Sequence, residues 1–291
     1  MNKIKIFLEL IKQTFLEWNN DDAPMLAAAL AYYTALSIAP LIIVIVAIVG
    51  FIVGQSSVQS QITEQLQVTV GTGAAQIVTN LIDNMSQPNQ GVIASIIGII
   101  ILLYGALGLF NHLQTALDMI WDVDLSDDIN IIEGFVKDKL LSFGMILIIG
   151  FLLLVSLIIS TLLSILDSYL LTMLPGTDII LRILNALLAF SITTVLFGFI
   201  FKFLPHADIA WNDVWIGSIV TSLLFTLGQT ILGLYLGNSA IHSTYGAAGA
   251  FVVLLVWVYY SAQIVLFGAE FTHLFSKNYG TLARSLDQID A

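Results

Sequence analysis

Of 291 residues, 58% are hydrophobic and 10% are charged, with a mean hydropathy of +0.96. Soluble domains carry about 25% charged residues, so this composition excludes a water-covered globular enzyme, a disordered chain and a basic nucleic-acid binder. The net charge of −11 makes phosphate backbones poor partners, and the absence of cysteine excludes disulfides, a thiolate nucleophile and Cys-ligated metal. What remains is an all-α integral membrane protein.

Residues 3–18 place Ile4, Leu8, Ile11, Phe15 and Trp18 on one helical stripe, with Lys5, Glu9, Lys12 and Glu17 away from it. Residues 1–24 therefore read as an amphipathic segment lying in the inner membrane interface. Residues 25–275 form the transmembrane domain. A span needs about 20 apolar residues, and six segments qualify, at about 26–53, 92–109, 143–166, 179–203, 214–236 and 248–275. Residues 276–291 form a tail. None of these segments resembles a cleavable signal peptide. Continuous apolar runs such as Leu41–Val49 do not alternate as barrel strands do.

The positive residues set the orientation. With six spans and both termini cytoplasmic, eight of the nine Lys and Arg fall inside and only Arg182 falls outside. Acidic residues follow the same bias, 16 inside against 4 outside. Loop 54–91 on the outer side contains Ile62, Leu66, Ile77, Leu81 and Ile82, which suits short amphipathic helices capping the bundle. Loop 110–142 on the inner side is strongly acidic. Within it Asp122, Asp124, Ser126, Asp128, Asn130 and Glu133 approach an EF-hand calcium loop, but Asp127 stands where that loop needs Gly. A solvated acidic linker is the better reading.

Polar side chains inside spans are costly and tend to face the bundle interior. Tyr259, Gln263 and Glu270 share one face of the sixth span. Ser218, Ser222, Thr226, Gln229, Thr230 and Gly233 form a stripe in the fifth, and Asn185 adds a polar group in the fourth. In the first span Tyr32, Tyr33, Thr34 and Ser37 precede Pro40, which removes a backbone donor and bends a helix. Either these groups line a polar cavity among spans one, five and six, or they are interhelical hydrogen-bond glue. Glu270 is the exceptional member, an acidic residue at the edge of an apolar span. Gly246 and Gly249 suit a tight turn opening the sixth span. His112, His206, His242 and His273 lack metal-ligand spacing, and no Walker A loop or GxSxG elbow is present, so neither an enzyme nor a cofactor is expected.

The chain resembles the YihY/BrkB family of bacterial inner-membrane proteins. The resemblance is carried by Ala27-Ala-Ala-Leu-Ala-Tyr32-Tyr33-Thr34-Ala-Leu-Ser37-Ile-Ala-Pro40 and by the stretch from Asn111 to Trp121. It continues in Tyr235, Tyr245-Gly246-Ala-Ala-Gly249, Trp257-Val-Tyr259-Tyr260-Ser261 and Gly268-Ala-Glu270. It implies six transmembrane helices in the plasma membrane. Members were once labelled ribonuclease BN, a label regarded as a misassignment, and family members have been linked to serum resistance and to envelope lipid export. The resemblance thus implies a transporter- or flippase-like role, and no metal cluster or basic groove here suits a nuclease. On this reading Tyr32, Tyr33, Ser37, Pro40, Gln229, Tyr259, Gln263 and Glu270 line a pathway for an envelope lipid or small solute, without ATP hydrolysis. The bilayer is the expected partner and nucleic acid is not. The competing reading is a non-catalytic scaffold for envelope assembly.

Overall fold

The computed structural model describes residues 3–70, 75–76, 79, 92–123, 139–152, 155, 178–237 and 241–281, and every regular element among them is an α-helix. The helices are α1 Lys3–Asn20, α2 Ala23–Val53, α3 Gln55–Val70 and α4 Val92–Ile120. They continue with α5 Lys139–Leu152, α6 Asp178–Phe203, α7 Trp211–Gly237 and α8 Ile241–Asn278.

Helix breaks follow local chemistry. Asp22 adopts a left-handed backbone (φ 51°) between α1 and α2, and Pro24 then occupies the first turn of α2, where a missing N–H costs nothing. Gly54, at φ 97°, ends α2 with its N–H on the Gly50 carbonyl, 2.9 Å away. Pro205 stands just beyond the end of α6.

α2 is central. It packs on α4 along one flank and on α8 along the other; α8 in turn packs on α7, and α7 on α6. α5 joins the α2–α4 side, where Ser142 Oγ bonds Asn111 Oδ1 at 3.2 Å. α3 rests on α2, α7 and α8 at one end of the bundle, as a cap. α1 rests on α8 and α2 at the other. The largest apolar core runs through α2, α4, α5, α6, α7 and α8.

Three described helical stretches are long and apolar enough to cross a membrane: Ile183–Phe203, Trp211–Leu232 and Phe251–Asn278. Ala23–Ser37 and Lys139–Leu152 are shorter apolar stretches. The outward faces carry Phe51, Leu140, Phe151, Leu187, Leu223 and Ile231, all exposed. An apolar exterior on apolar helices is the pattern a lipid solvent requires.

Two expectations are corrected. Gly246 and Gly249 lie inside α8, which starts at Ile241, so no turn forms there. α4 runs to Ile120, so the first third of loop 110–142 is helix, with Phe110, Gln114, Leu117 and Ile120 buried along one stripe. The EF-hand-like residues Asp124, Ser126, Asp128 and Glu133 lie outside the described residues; Asp122 is exposed, with φ 49°.

Candidate functional site

Hydroxyl groups along α7 and α8, some buried and some exposed, spend their proton on their own helix. Ser218, Thr221, Thr226 and Thr230 on α7, and Ser261 and Thr272 on α8, each donate to the carbonyl four residues back, at 2.6–2.9 Å. The donor is then unavailable for a neighbouring helix. What binds α7 to α8 is shape. A Cβ on Gly217 would collide with Thr272 Oγ1, and one on Gly268 would collide with Thr221 Oγ1. Each threonine thus fills the notch left by the other helix's glycine. Gly228 repeats the device with Tyr260, in the same antiparallel register.

Buried acids tie the loops to this frame. Asp118, near the end of α4, accepts the His206 backbone N–H at 2.7 Å and lies 2.8 Å from His206 Nδ1. Asp213, in the first turn of α7, accepts from Ser276 Oγ (2.8 Å), Thr281 Oγ1 (2.6 Å) and the Thr281 N–H (3.0 Å). A carboxylate at a helix N-terminus is favoured by the helix dipole. Sequence reasoning missed both anchors, because Asp118 read as one more acid in a surplus and Asp213 as a loop residue.

Glu270 differs from these acids. It is 1% exposed, and its Oε1 has no hydrogen-bond partner. Trp18 packs edge-on against Phe267 (6.5 Å between ring centroids), and Trp121 lies against His273 (4.9 Å). Both indole N–H groups are buried and unpartnered. Three orphan polar atoms therefore gather where α1, the end of α4 and α8 meet. Phe7 on Phe271 completes the cover that α1 makes over this face.

The other expected pathway residues are dispersed. Tyr33 stacks on His112 (3.5 Å, 13°), and the exposed Tyr32 lies edge-on to Tyr33. Burial, then the nearby Lys139 charge, holds the His112 imidazole below its ordinary 6.5. Ser37 is buried 3.4 Å from where a Gly108 Cβ would stand, and Pro40 lies within an α2 that continues helically through it. Tyr259 packs against both apolar clusters, Gln263 is half-buried, and Asn185 is exposed. Gln229 lines a crevice with Phe225, Trp257 and Tyr260 that is too narrow for water. An apolar groove of about 320 Å³ runs between α5 and α6, past Gly144 and Phe199. No described side chain of α2 lines either one. Among the described residues no group of three or more His, Asp or Glu is placed to hold a metal ion.

Among the described residues every regular element is a helix, three stretches are long and apolar enough to cross a membrane, and the exterior is apolar, which is the pattern of an integral membrane protein. Its relatives agree. A UPF0761 membrane protein of Psychromonas ingrahamii is 27% identical over 278 residues, covering 94% of this chain and 89% of its own. One from Alteromonas mediterranea is 30% identical over 261 residues, 87% of this chain and 82% of its own. A longer one from Psychrobacter is 25% identical, with 92% of this chain matching 48% of it. The family model described as Virulence factor BrkB matches residues 14–288, and the chain belongs to that family. No solved structure matches it.

Proposed function

We propose that this is a six-span plasma-membrane protein, with both termini cytoplasmic, that moves an envelope lipid or small solute without ATP hydrolysis. Tyr32, Tyr33, Ser37, Pro40, Gln229, Tyr259, Gln263 and Glu270 line its pathway. The observation that carries this reading is Glu270: a fully buried carboxyl with an unpartnered oxygen is expensive, and such a group is retained where it does work. The lengths of α2 and α4, 31 and 29 residues, support their membrane crossing, and the eight-to-one distribution of Lys and Arg supports the orientation. Reporter fusions in each loop test that topology.

The transport test is flux of fluorescent lipid or of protons through the reconstituted protein. Wild-type flux above empty liposomes, lost in Glu270→Gln and reduced in Gln263→Leu, supports the reading; wild-type flux equal to empty liposomes under several gradients overturns it. A second reading, a non-catalytic scaffold for envelope assembly, is favoured by the tight fit of α7 on α8 at Gly217, Gly228 and Gly268.

A further inference from the structure

α1 lies across α8 rather than along it. Phe7 and Trp18 stand three turns apart on α1, about 16 Å at a rise of about 1.5 Å per residue. The rings they meet, Phe271 and Phe267, stand only one turn apart on α8, about 6 Å. Helices running side by side would touch at equal spacings on both, so the unequal spacing sets α1 steeply across its neighbour. α8 is apolar and long enough over Phe251–Asn278 to cross a membrane. A helix set across a membrane-crossing one lies close to the membrane plane. The contacts fall in the last three turns of α8, where a span approaches the surface.

At about 100° per residue, α1 presents four sides of different chemistry. Leu10 and Thr14 are buried against the bundle, with Phe7 and Trp18 at their margin. About a quarter of the way round stand Leu8 and Phe15, both exposed. Next come exposed Lys5 and Lys12, on the side opposite the bundle, with exposed Leu16 beside them. The fourth side carries Glu9, Gln13 and Glu17, also exposed. A helix lying in the membrane plane with one side on a protein meets four surroundings in turn: protein, hydrocarbon, headgroup layer and water. The four sides of α1 follow that order. Among the described residues the ion pairs are Lys202 with Asp208 and His206 with Asp118, so no acid of the chain holds Lys5 or Lys12. The chain has 20 Asp+Glu against 9 Lys+Arg, which makes two cations without an acidic partner an unusual surplus. Beside a strip of exposed carbon, they complement a partner that is anionic at one end and apolar at the other.

We propose that the outer side of α1 binds anionic phospholipid of the leaflet it lies on: Lys5 and Lys12 hold lipid phosphates while Leu8 and Phe15 enter the hydrocarbon. The lysine stems lie along carbon and their ammonium groups reach the phosphate layer. Each lysine at a negatively charged membrane surface strengthens the attraction about fivefold. A zwitterionic surface accepts Leu8 and Phe15 equally well but gives the lysines no net charge to meet, so the face discriminates by headgroup. Glu9 and Glu17, turned to the water side, keep their repulsion out of the contact. The inference rests on the membrane crossing of α8 proposed above and is independent of transport.

The chain has no cysteine, so single cysteines can be spin-labelled on the full-length protein in lipid nanodiscs. Labels at Leu8→Cys and Phe15→Cys are reached by oxygen in preference to a water-soluble nickel chelate, and the label at Gln13→Cys shows the reverse. Labels at 8 and 15 as open to the chelate as the label at 13 overturn the membrane seating. Labels shielded from both reagents report a protein cover and overturn it as well. Headgroup preference is read with spin-labelled phosphatidylglycerol against spin-labelled phosphatidylcholine on the cysteine-free protein. Wild type holds phosphatidylglycerol several-fold more strongly, and Lys5→Gln combined with Lys12→Gln removes most of that preference. A preference that survives the double substitution overturns the proposal, and so does an equal fall in Lys277→Gln, a cation of α8. Where the double variant does not fold, wild type in about 1 M salt decides, because screening removes a preference made by exposed lysines and leaves one made by shape; an unchanged preference overturns the proposal. Reporter fusions that place both ends of α8 on one side refute the crossing itself, whereas an intact crossing with no headgroup preference removes this inference alone.

Discussion

Two stretches of α8 lie within a turn of each other and solve the problem of polarity in opposite ways. At Gly268 and Thr272 every donor is spent within its own helix, and the neighbouring helix fits to van der Waals contact. At Glu270, between them, a carboxyl oxygen and two indole N–H groups have no partner. The first arrangement is what a membrane helix does to be stable. The second is stable only because its surroundings are, which makes it the place to look for exchange with something outside the chain.

The contrast predicts a gradient of mutational cost. The largest effect belongs to Gly217→Ala and Gly268→Ala, because the new Cβ would collide with a threonine hydroxyl on the facing helix. Overpacking of this kind costs about 3 kcal/mol, read as a fall in the unfolding midpoint of detergent-solubilised protein. Thr221→Gly combined with Gly268→Ala swaps the knob for the notch and restores much of the loss; absence of rescue would break the steric account.

Asp213→Ala comes next. It leaves Ser276 and Thr281 without their acceptor, at a cost of about 2 kcal/mol. The local signature is sharper than the global one: amides at 279–281, just past α8, gain hydrogen exchange before those of the helix do.

A smaller effect comes from pH. His112 lies just beyond the second apolar segment, and its folded-state value is depressed below 6.5. A depressed histidine contributes stability that is present above the unfolded value and is lost as pH falls below it toward the folded value. Stability should therefore drop on acidification below about 6.5, and His112→Phe, which keeps the stack on Tyr33, should flatten that part of the profile. An unchanged slope in the variant assigns the pH dependence elsewhere. The smallest effect is Ser222→Ala. Its Oγ is buried without a partner, so removing it changes stability by less than about 0.5 kcal/mol, or raises it.

Much of the architecture was written in composition and period. The scarcity of charge defined the lipid environment, and the stripe from Ile4 to Trp18 marked α1 as a helix, although the structure seats it by Leu10 and Thr14 and leaves Leu8 and Phe15 exposed. A one-helix period cannot tell which edge of a broad apolar face meets the bundle. Asn111 and His112 looked like the end of an apolar run, yet α4 continues because Gln114 and Asp118 find partners on His206 from a distant turn. Glycines at 246 and 249 looked like a turn, but glycine only permits one, and α8 runs on through them. Glu270 was legible as a misplaced carboxyl. Its surroundings were not, since Trp18 and Trp121, which pack on Phe267 and His273, arrive from segments about 150 to 250 residues away, and nothing local in their sequence marks the encounter.

The reciprocal glycine–threonine fit also has a mechanical meaning. Knobs set four residues from notches on both helices can slide by no fraction of a turn without colliding, and Tyr260 against Gly228 holds the same register farther along. α7 and α8 are thereby keyed like a shaft in its slot and travel as one stiff beam. Whatever motion this protein makes in the bilayer, that beam does not telescope; the moving parts are those hung on its sides.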